Sequence, residues 1–204
     1  TREHQLQPAR VGGAELHDGA PVVLVAAGEY HWAAVLADGA VLTCGRGHCG
    51  QLGHGDAQDR LQPALLVLPV FGSARVVLVA CGRFHTLAVT GGGRVFSCGG
   101  NSYGQLGHGD TIGRQVFALV NAGLLGGCRI VLAAAGDGHS VAATAEGDVF
   151  SWGDGTDGCL GHNDEEDRLA PTQLGRGQFG GGRVVLMAAG VLHTVALTEG
   201  GVLW

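Results

Sequence analysis

Short apolar runs, separated by polar turns rich in glycine, follow one another along the whole chain. The runs are built from Val, Leu, Ala and Phe, and their apolar positions do not recur with the 3.6-residue period of an amphipathic helix. Runs of this length between turns that contain glycine are typical of β-strands. The pattern therefore predicts an all-β protein.

The runs belong to a repeat of 54 residues that contains no insertion or deletion. Its first strand is V-V-L-V-A-A-G or a near copy, and it begins at Val22, Val76, Ile130 and Val184. Three residues after that glycine each unit carries a histidine, at His31, His85, His139 and His193. A second strand, a hairpin turn containing glycine and a third strand follow in each unit, because such glycines supply the positive φ angles of tight turns.

The second half of each unit is a glycine-rich loop that leads to the tripeptide Leu-Gly-His. An aspartate and an arginine four residues apart follow it, and we expect them to form an ion pair that pins the loop. These pairs are Asp56/Arg60, Asp110/Arg114 and Asp164/Arg168. A fourth strand is expected at Leu65–Leu68 and Phe117–Val120, before the arginine that opens the next unit.

Four strands in about 50 residues are typical of a β-propeller blade. Helical solenoids are excluded by the 39 glycines among 204 residues, since glycine disfavours helix. We therefore expect residues 1–204 to be a single propeller segment of about 3.8 repeats, with units that start near 22, 76, 130 and 184.

Both ends of the chain are expected to be incomplete blades. Leu6–Ala9 echoes Leu61–Ala64, so residues 1–21 are expected to be the end of a preceding blade. Trp204 aligns with Phe150, so the last blade is expected to be truncated there. The chain is interpreted as part of a larger ring, and closure of four blades is the alternative.

Composition narrows the classes of partner. Hydrophobic residues make up 46% of the chain, which is too apolar for a disordered protein. The net charge is −6 and every basic residue is Arg, so we expect neither nucleic acid nor a membrane as a direct partner. Six cysteines without a C-x-x-C pair favour free thiols in a reducing compartment. We therefore expect an intracellular location, most simply the cytoplasm. A nuclear location and a cytoskeletal or ciliary location are the alternatives.

The second unit resembles the regulator of chromosome condensation repeat family. It reads V-V-L-V-A-C-G-R-F-H-T-L-A-V-T and then V-F-S-C-G-G-N-S-Y-G-Q-L-G-H-G-D. The resemblance covers essentially the whole chain and implies a seven-bladed propeller, with roughly three more blades outside this sequence. Family members include nucleotide exchange factors for a nuclear small GTPase, chromatin binders, modules of ubiquitin ligases, ciliary proteins and a plant light sensor. The resemblance therefore implies a fold and leaves the function open.

Two specialised activities of the family make demands on the sequence. The exchange factor carries an inserted β-wedge, and the uniform 54-residue period leaves no room for one in these units. The light sensor places Trp in the G-x-x-H motif of its sensing blades. The residues before the repeated histidine here are Tyr30, Phe84, Gly138 and Leu192, so we do not expect light sensing.

Sites for metals, cofactors and catalysis are not expected. Seven of the ten histidines occupy repeated positions, which a ring would spread apart, and each is expected to hydrogen-bond its own blade. The G-x-G-x-x-G motifs at Gly45–Gly50 and Gly153–Gly158 lead into a turn and a strand rather than a helix, so they do not predict a dinucleotide site. Ser140 occupies the place of Thr86 and Thr194, so it does not stand out as a nucleophile. We therefore expect no enzyme, and we interpret the acidic run 164–167 as a solvated loop.

Positions that differ between the units are the candidates for recognition. One set precedes the repeated histidine and the other fills the loop before Leu-Gly-His. From these sets we predict protein-binding residues, which are Glu29, Tyr30, Arg46, Arg83, Phe84, Tyr103, Asp154 and Asp157. Aromatic and arginine side chains are frequent anchors of interfaces, although packing of the aromatics between blades is the alternative.

The predicted function is a non-enzymatic scaffold that binds other proteins, as one module of a larger protein or a subunit of a large complex. The alternatives are a guanine nucleotide exchange factor for a small GTPase and a chromatin-associated binder.

Overall fold

The computed structural model describes residues 19–66 and 70–204. The first blade consists of β1 (Val22–Ala27), β2 (His31–Leu36), β3 (Val41–Gly45) and β4 (Arg60–Leu65). The second consists of β5 (Val76–Cys81), β6 (His85–Thr90), β7 (Val95–Gly99) and β8 (Arg114–Leu119). The third consists of β9 (Ile130–Ala135), β10 (His139–Thr144), β11 (Val149–Gly153) and β12 (Arg168–Gln173). The fourth sheet contains β13 (Val184–Ala189) and β14 (Thr194–Thr198).

Each blade is an antiparallel meander in which consecutive strands pair. The three four-stranded sheets have the same register, because His31 faces Gly45, His85 faces Gly99 and His139 faces Gly153. In the fourth sheet an isolated bridge joins Leu197 to Leu203, where a third strand would begin. The expected all-β fold of four-stranded blades on a 54-residue repeat is confirmed.

The hairpin turn between the second and third strands is held by the arginine that opens the next unit. Gly39 adopts a φ of +87°, and a Cβ there would lie 2.5 Å from the Cβ of Arg75. Arg75 donates from Nε to the Asp38 carbonyl at 2.8 Å and from a terminal nitrogen to the Ala37 carbonyl at 2.6 Å. Glycine is therefore required at this turn both for its backbone conformation and for the close approach of the next blade.

The fourth strand lies earlier than the apolar pattern predicts. The prediction of Leu65–Leu68 is wrong as to where the strand starts, since β4 begins at Arg60 and ends at Leu65, and Leu68 lies outside the described residues. The prediction of Phe117–Val120 is wrong in the same way, since β8 begins at Arg114 and ends at Leu119. The strand begins at the arginine because Arg60 pairs with Gly45 across the sheet, while its guanidinium bonds Asp56 at 2.7 Å.

Among the described residues, three of the four hydrophobic clusters lie between neighbouring blades, and the fourth consists of first-blade residues alone. Val35, Val79 and Phe96 belong to the cluster that joins the first and second blades. Equivalent clusters join the second blade to the third, around Trp152, and the third to the fourth sheet, around Met187. Burying one such side chain contributes about 1.5–3 kcal/mol, so each blade is stabilised mainly by its neighbours.

Three short 3₁₀ segments were not predicted, at Ala122–Leu125, Thr156–Gly158 and Arg176–Phe179. The first is capped by Asn121, whose side chain accepts from the Gly123 backbone N–H at 2.9 Å, and it buries Leu125. Most of the segment expected to end a preceding blade, residues 1–18, lies outside the described residues. Among the residues that are described, the helical segments are too short to cross a membrane.

Candidate protein-binding surface

The two sets of variable positions meet at one end of the blades, which we call the loop end. It carries the turn between the first and second strands of each blade and the long loop between the third and fourth. The backbone joins the two, because the Arg46 N–H donates to the Tyr30 carbonyl at 2.9 Å and the Gly100 N–H to the Phe84 carbonyl at 2.8 Å. Asp154 makes the equivalent bond in the third blade. The two sets are separate stretches of the sequence, and the fold brings them together in one surface.

Beneath this surface the repeated histidines join each blade to the next. His31 Nε2 lies 2.6 Å from the Thr86 hydroxyl, and His85 Nε2 lies 2.9 Å from the Ser140 hydroxyl. His139 makes the same contact with Thr194 at 3.0 Å. The expectation that these histidines bond their own blade is wrong, because the ring at the start of the second strand points across the blade interface.

The hydroxyl that contacts each histidine donates its own hydrogen bond to a backbone carbonyl on the histidine's blade. Thr86 donates to the Gln51 carbonyl at 2.7 Å, and Ser140 donates to the Gln105 carbonyl at 2.8 Å. Since the hydroxyl proton is directed to the carbonyl, the histidine must donate from Nε2. The repeated histidine is therefore a neutral structural donor at each interface.

Burial keeps these rings uncharged. It lowers the pKa of His31 to about 4 and that of His85 to about 3, and it lowers the pKa of His139. Removal from water disfavours the imidazolium form because the charge loses its hydration. The rings of His31 and His85 therefore stay neutral well below pH 6 and are not poised for proton transfer at neutral pH.

The histidines of the Leu-Gly-His loops behave as expected, since each bonds its own blade. His54 Nε2 lies 2.9 Å from the Thr43 hydroxyl, and His108 and His162 make the same contact with Ser97 and Ser151 at 3.0 Å. Burial also lowers the pKa of His108 to about 4. Within the described part of the chain, no group of three or more His, Cys, Asp or Glu is arranged to hold a metal ion.

The predicted ion pair of each loop is present. Asp56 and Arg60 are 2.7 Å apart, Asp110 and Arg114 are 2.8 Å apart, and Asp164 and Arg168 are 2.7 Å apart. Part of the acidic run is used within its own loop, because Asp167 accepts from the Gly155 N–H at 2.9 Å.

Five side chains of the first two blades form what we call the aromatic–arginine cluster, namely Tyr30, Arg46, His48, Arg83 and Phe84. The rings of Tyr30 and Phe84 stack with centroids 5.5 Å apart and planes 25° apart. Arg46 lies over the Tyr30 ring at 4.4 Å and Arg83 over the Phe84 ring at 5.0 Å. The His48 ring meets Phe84 edge-on at 5.7 Å. The cluster is only partly buried, so both apolar area and guanidinium groups are accessible at the surface.

Arg83 lies at the junction of three blades at the loop end. It contacts Glu29 of the first blade and Asp137 of the third, each at 3.0 Å. Neither Asp137 nor His48 was among the predicted binding residues, although both lie in the variable sets. Only the fold shows that Asp137 lies within reach of Arg83, which is 54 residues away in sequence.

The remaining predicted residues lie on the third-blade side. Tyr103 is half-exposed and lies against Gly138, where a Cβ would be 3.1 Å from the Tyr103 ring and 3.1 Å from the Asp154 Cβ. Tyr103 thus fills the place that Tyr30 and Phe84 occupy in the first two blades. Asp157 is exposed in the 3₁₀ segment, with a φ of +57°. The structure therefore joins the predicted residues of the first two blades and sets Asp157 apart in the third.

Comparison with known proteins gives the family. The sequence profile of the regulator of chromosome condensation (RCC1) repeat matches residues 38–89, 92–143 and 146–197. The chain is 41% identical over 184 residues to the ultraviolet-B receptor UVR8 of Arabidopsis thaliana, and the match covers 90% of this chain and 40% of the receptor.

Two solved structures share the fold. The human WBSCR16 structure superposes with a TM-score of 0.80 at 30% identity, over 94% of this chain and 48% of that one. The structure of Prp20p from Saccharomyces cerevisiae, described with its binding to Gsp1p and histones, superposes with a TM-score of 0.75 at 25% identity. That match covers 88% of this chain and 45% of Prp20p. The chain thus spans less than half the length of each of these relatives. With three matched repeats that cover most of its length, the chain belongs to the regulator of chromosome condensation (RCC1) repeat family.

Proposed function

We propose that this chain is a non-enzymatic protein-binding module, one segment of a propeller within a larger protein, and that it binds through the loop end. The observation that carries the proposal is that repeated and variable positions have different structural roles. The repeated residues form the histidine contacts and loop ion pairs that hold the blades. The variable residues form a connected, accessible surface. Loops carried on a rigid scaffold are a common location for recognition.

The chemistry of the repeated residues supports a role without catalysis. An active site needs one constellation of unlike groups, whereas here the same hydrogen bond is built at three interfaces. We propose no cofactor and no metal. The net charge of −6 supports other proteins, rather than nucleic acid or a membrane, as direct partners, and the free cysteines support an intracellular location.

The experiment is cross-linking mass spectrometry of the full-length protein in its native extract. The reagent must couple carboxylates, because this chain contains no lysine, and Glu29 and Asp154 are the informative positions. We expect cross-links from them to non-enzymatic subunits of an assembly. The variant with Tyr30, Arg83, Phe84 and Tyr103 all changed to Ala should lose those cross-links.

Arg94→Ala is the matched control, because Arg94 is exposed at the opposite end of the second blade and lies 5.6 Å from the Phe96 ring. Cross-links to a small GTPase with accelerated nucleotide release would replace the proposal by an exchange factor. Cross-links to histones would replace it by a chromatin binder. Cross-links that survive the quadruple variant would place the binding surface elsewhere.

A further inference from the structure

The two arginines of the aromatic–arginine cluster are used in different ways. Arg83 is neutralised by two carboxylates, Glu29 and Asp137, each 3.0 Å away. Arg46 pairs with no carboxylate among residues 19–66 and 70–204, and its one side-chain interaction there is the stack on Tyr30 at 4.4 Å. The surface therefore contains one compensated cation and one that is uncompensated by the residues described.

Arg46 is held in place although no carboxylate in the described part of the chain pairs with it. Its backbone N–H donates to the Tyr30 carbonyl at 2.9 Å, and its guanidinium lies over the Tyr30 ring. Stacking uses a face of the guanidinium, whereas the N–H donors point outward in its plane. A stacked arginine of this kind has already lost much of its rotamer freedom, so a carboxylate that binds it meets a smaller ordering cost.

The same position in the other blades shows that this cation is particular to the first blade. Gly100 replaces Arg46 in the second blade and Asp154 replaces it in the third. Gly100 places no side chain over Phe84 and lies close against it, because a Cβ there would be only 3.3 Å from the Phe84 Cβ. The loop end thus carries a cation and two stacked rings in the first two blades.

The third blade carries the opposite charge. Asp154 and Asp157 occupy its loop, followed by the exposed Glu165 and Glu166. An acidic ligand is repelled more strongly from the third blade than from the first, where the carboxylates of Glu29 and Asp56 are paired with arginines. The charge distribution therefore orients it along the surface.

We propose that the aromatic–arginine cluster docks an acidic peptide segment of a partner protein. A carboxylate of that segment pairs with the Arg46 guanidinium, and an adjacent aromatic or aliphatic side chain lies on Phe84 beside His48. The inference rests on the proposed protein-binding function and adds to it the chemistry of the partner.

The test is selection from a phage-displayed library of random dodecapeptides on the full chain, followed by affinity measurement with synthetic copies of the enriched peptides. We expect enrichment of peptides in which Asp or Glu lies next to an aromatic or large aliphatic residue. Arg46→Ala should weaken them about 10- to 100-fold, since it removes a charge-assisted hydrogen bond. Replacing the peptide's Asp and Glu by Asn and Gln should have the same effect. Arg94→Ala, which removes the same charge at the opposite end, should leave the affinity within about twofold.

The outcomes separate the inference from the function on which it rests. Peptides that lose binding with Phe84→Ala but not with Arg46→Ala, or that carry no acidic residue, overturn the inference and leave the binding surface in place. Peptides unaffected by either variant overturn both. A dT20 oligonucleotide whose binding depends on Arg46 also overturns the inference, because the cation would then select phosphate rather than an acidic peptide.

Discussion

Replacing Thr86 by Val removes the hydroxyl that joins the first two blades and keeps the shape of the side chain. Thr86 is fully buried, and its hydroxyl lies 2.6 Å from His31 Nε2 and 2.7 Å from the Gln51 carbonyl. In the valine variant the His31 N–H has no acceptor at that position, and the carbonyl keeps only the Cys98 thiol at 3.5 Å.

The expected loss follows from the cost of leaving buried polar groups without partners. Each such group costs about 1–3 kcal/mol, and two are affected, one of them only in part. We therefore expect Thr86→Val to lower the free energy of unfolding by about 2–4 kcal/mol. The matched control is Thr86→Ser, which keeps the hydroxyl, reproduces the residue present at Ser140 and should cost about 1 kcal/mol for the lost methyl group.

The assay is urea unfolding at pH 7, followed by circular dichroism, with the denaturant slope compared between variants. Equal slopes and a clearly lower midpoint for Thr86→Val than for Thr86→Ser would support the histidine contact as a structural bond between blades. If the serine variant is as unstable as the valine variant, the methyl group rather than the hydroxyl matters, and the reasoning is refuted.

Three further predictions concern acid, a turn and a surface ion pair. The pKa of His85 is lowered to about 3 by burial, so the unfolded chain binds more protons than the folded one below about pH 6.5. The free energy of unfolding in urea should therefore fall as the pH falls from about 6.5 towards 4, by about 2 kcal/mol from this residue at pH 5, and an unchanged value would contradict a buried neutral ring. Gly93→Ala should lower the free energy of unfolding by at least about 2 kcal/mol in thermal unfolding, since φ is +80° and the new Cβ would meet Arg129. Gly92→Ala is the control: it has open space around it and should lower the free energy of unfolding by no more than about 0.5 kcal/mol. Equal losses would contradict the turn geometry. Arg83→Met should change the thermal midpoint by no more than about 2–4 °C, because its ion pairs are partly exposed and screened by water. A larger fall would show that Arg83 holds the blades together.

The blades could be predicted from the sequence because their cause is local. Three strands of each unit follow from apolar runs bounded by glycine turns, and the 54-residue period fixes their number. The predicted start of the fourth strand is wrong because its first residues, from Arg60 in the first blade and Arg114 in the second, are largely polar and add nothing to an apolar run. Its bounds depend on the partner across the sheet, Gly45 for Arg60, and a one-dimensional pattern does not contain that pairing.

The candidate surface was predicted in part, for a related reason. Differences between units identify Tyr30, Arg46, Arg83 and Phe84 as free of the repeat pattern, but not which of them touch. The contacts that build the cluster join residues about 54 apart, such as Arg83 with Asp137, and depend on how one blade is placed beside the next. The partner of each repeated histidine was missed for the same reason, since it lies 55 residues away on the next blade.

The central claim is that variable residues at the loop end bind proteins while repeated residues hold the blades. It is tested most directly by calorimetric titration of the partner found by cross-linking, with the wild type and with the variant that carries Ala at Tyr30, Arg83, Phe84 and Tyr103. We predict an affinity at least about tenfold weaker for the variant, with a thermal midpoint close to that of the wild type. Undiminished affinity in a folded variant would contradict the claim.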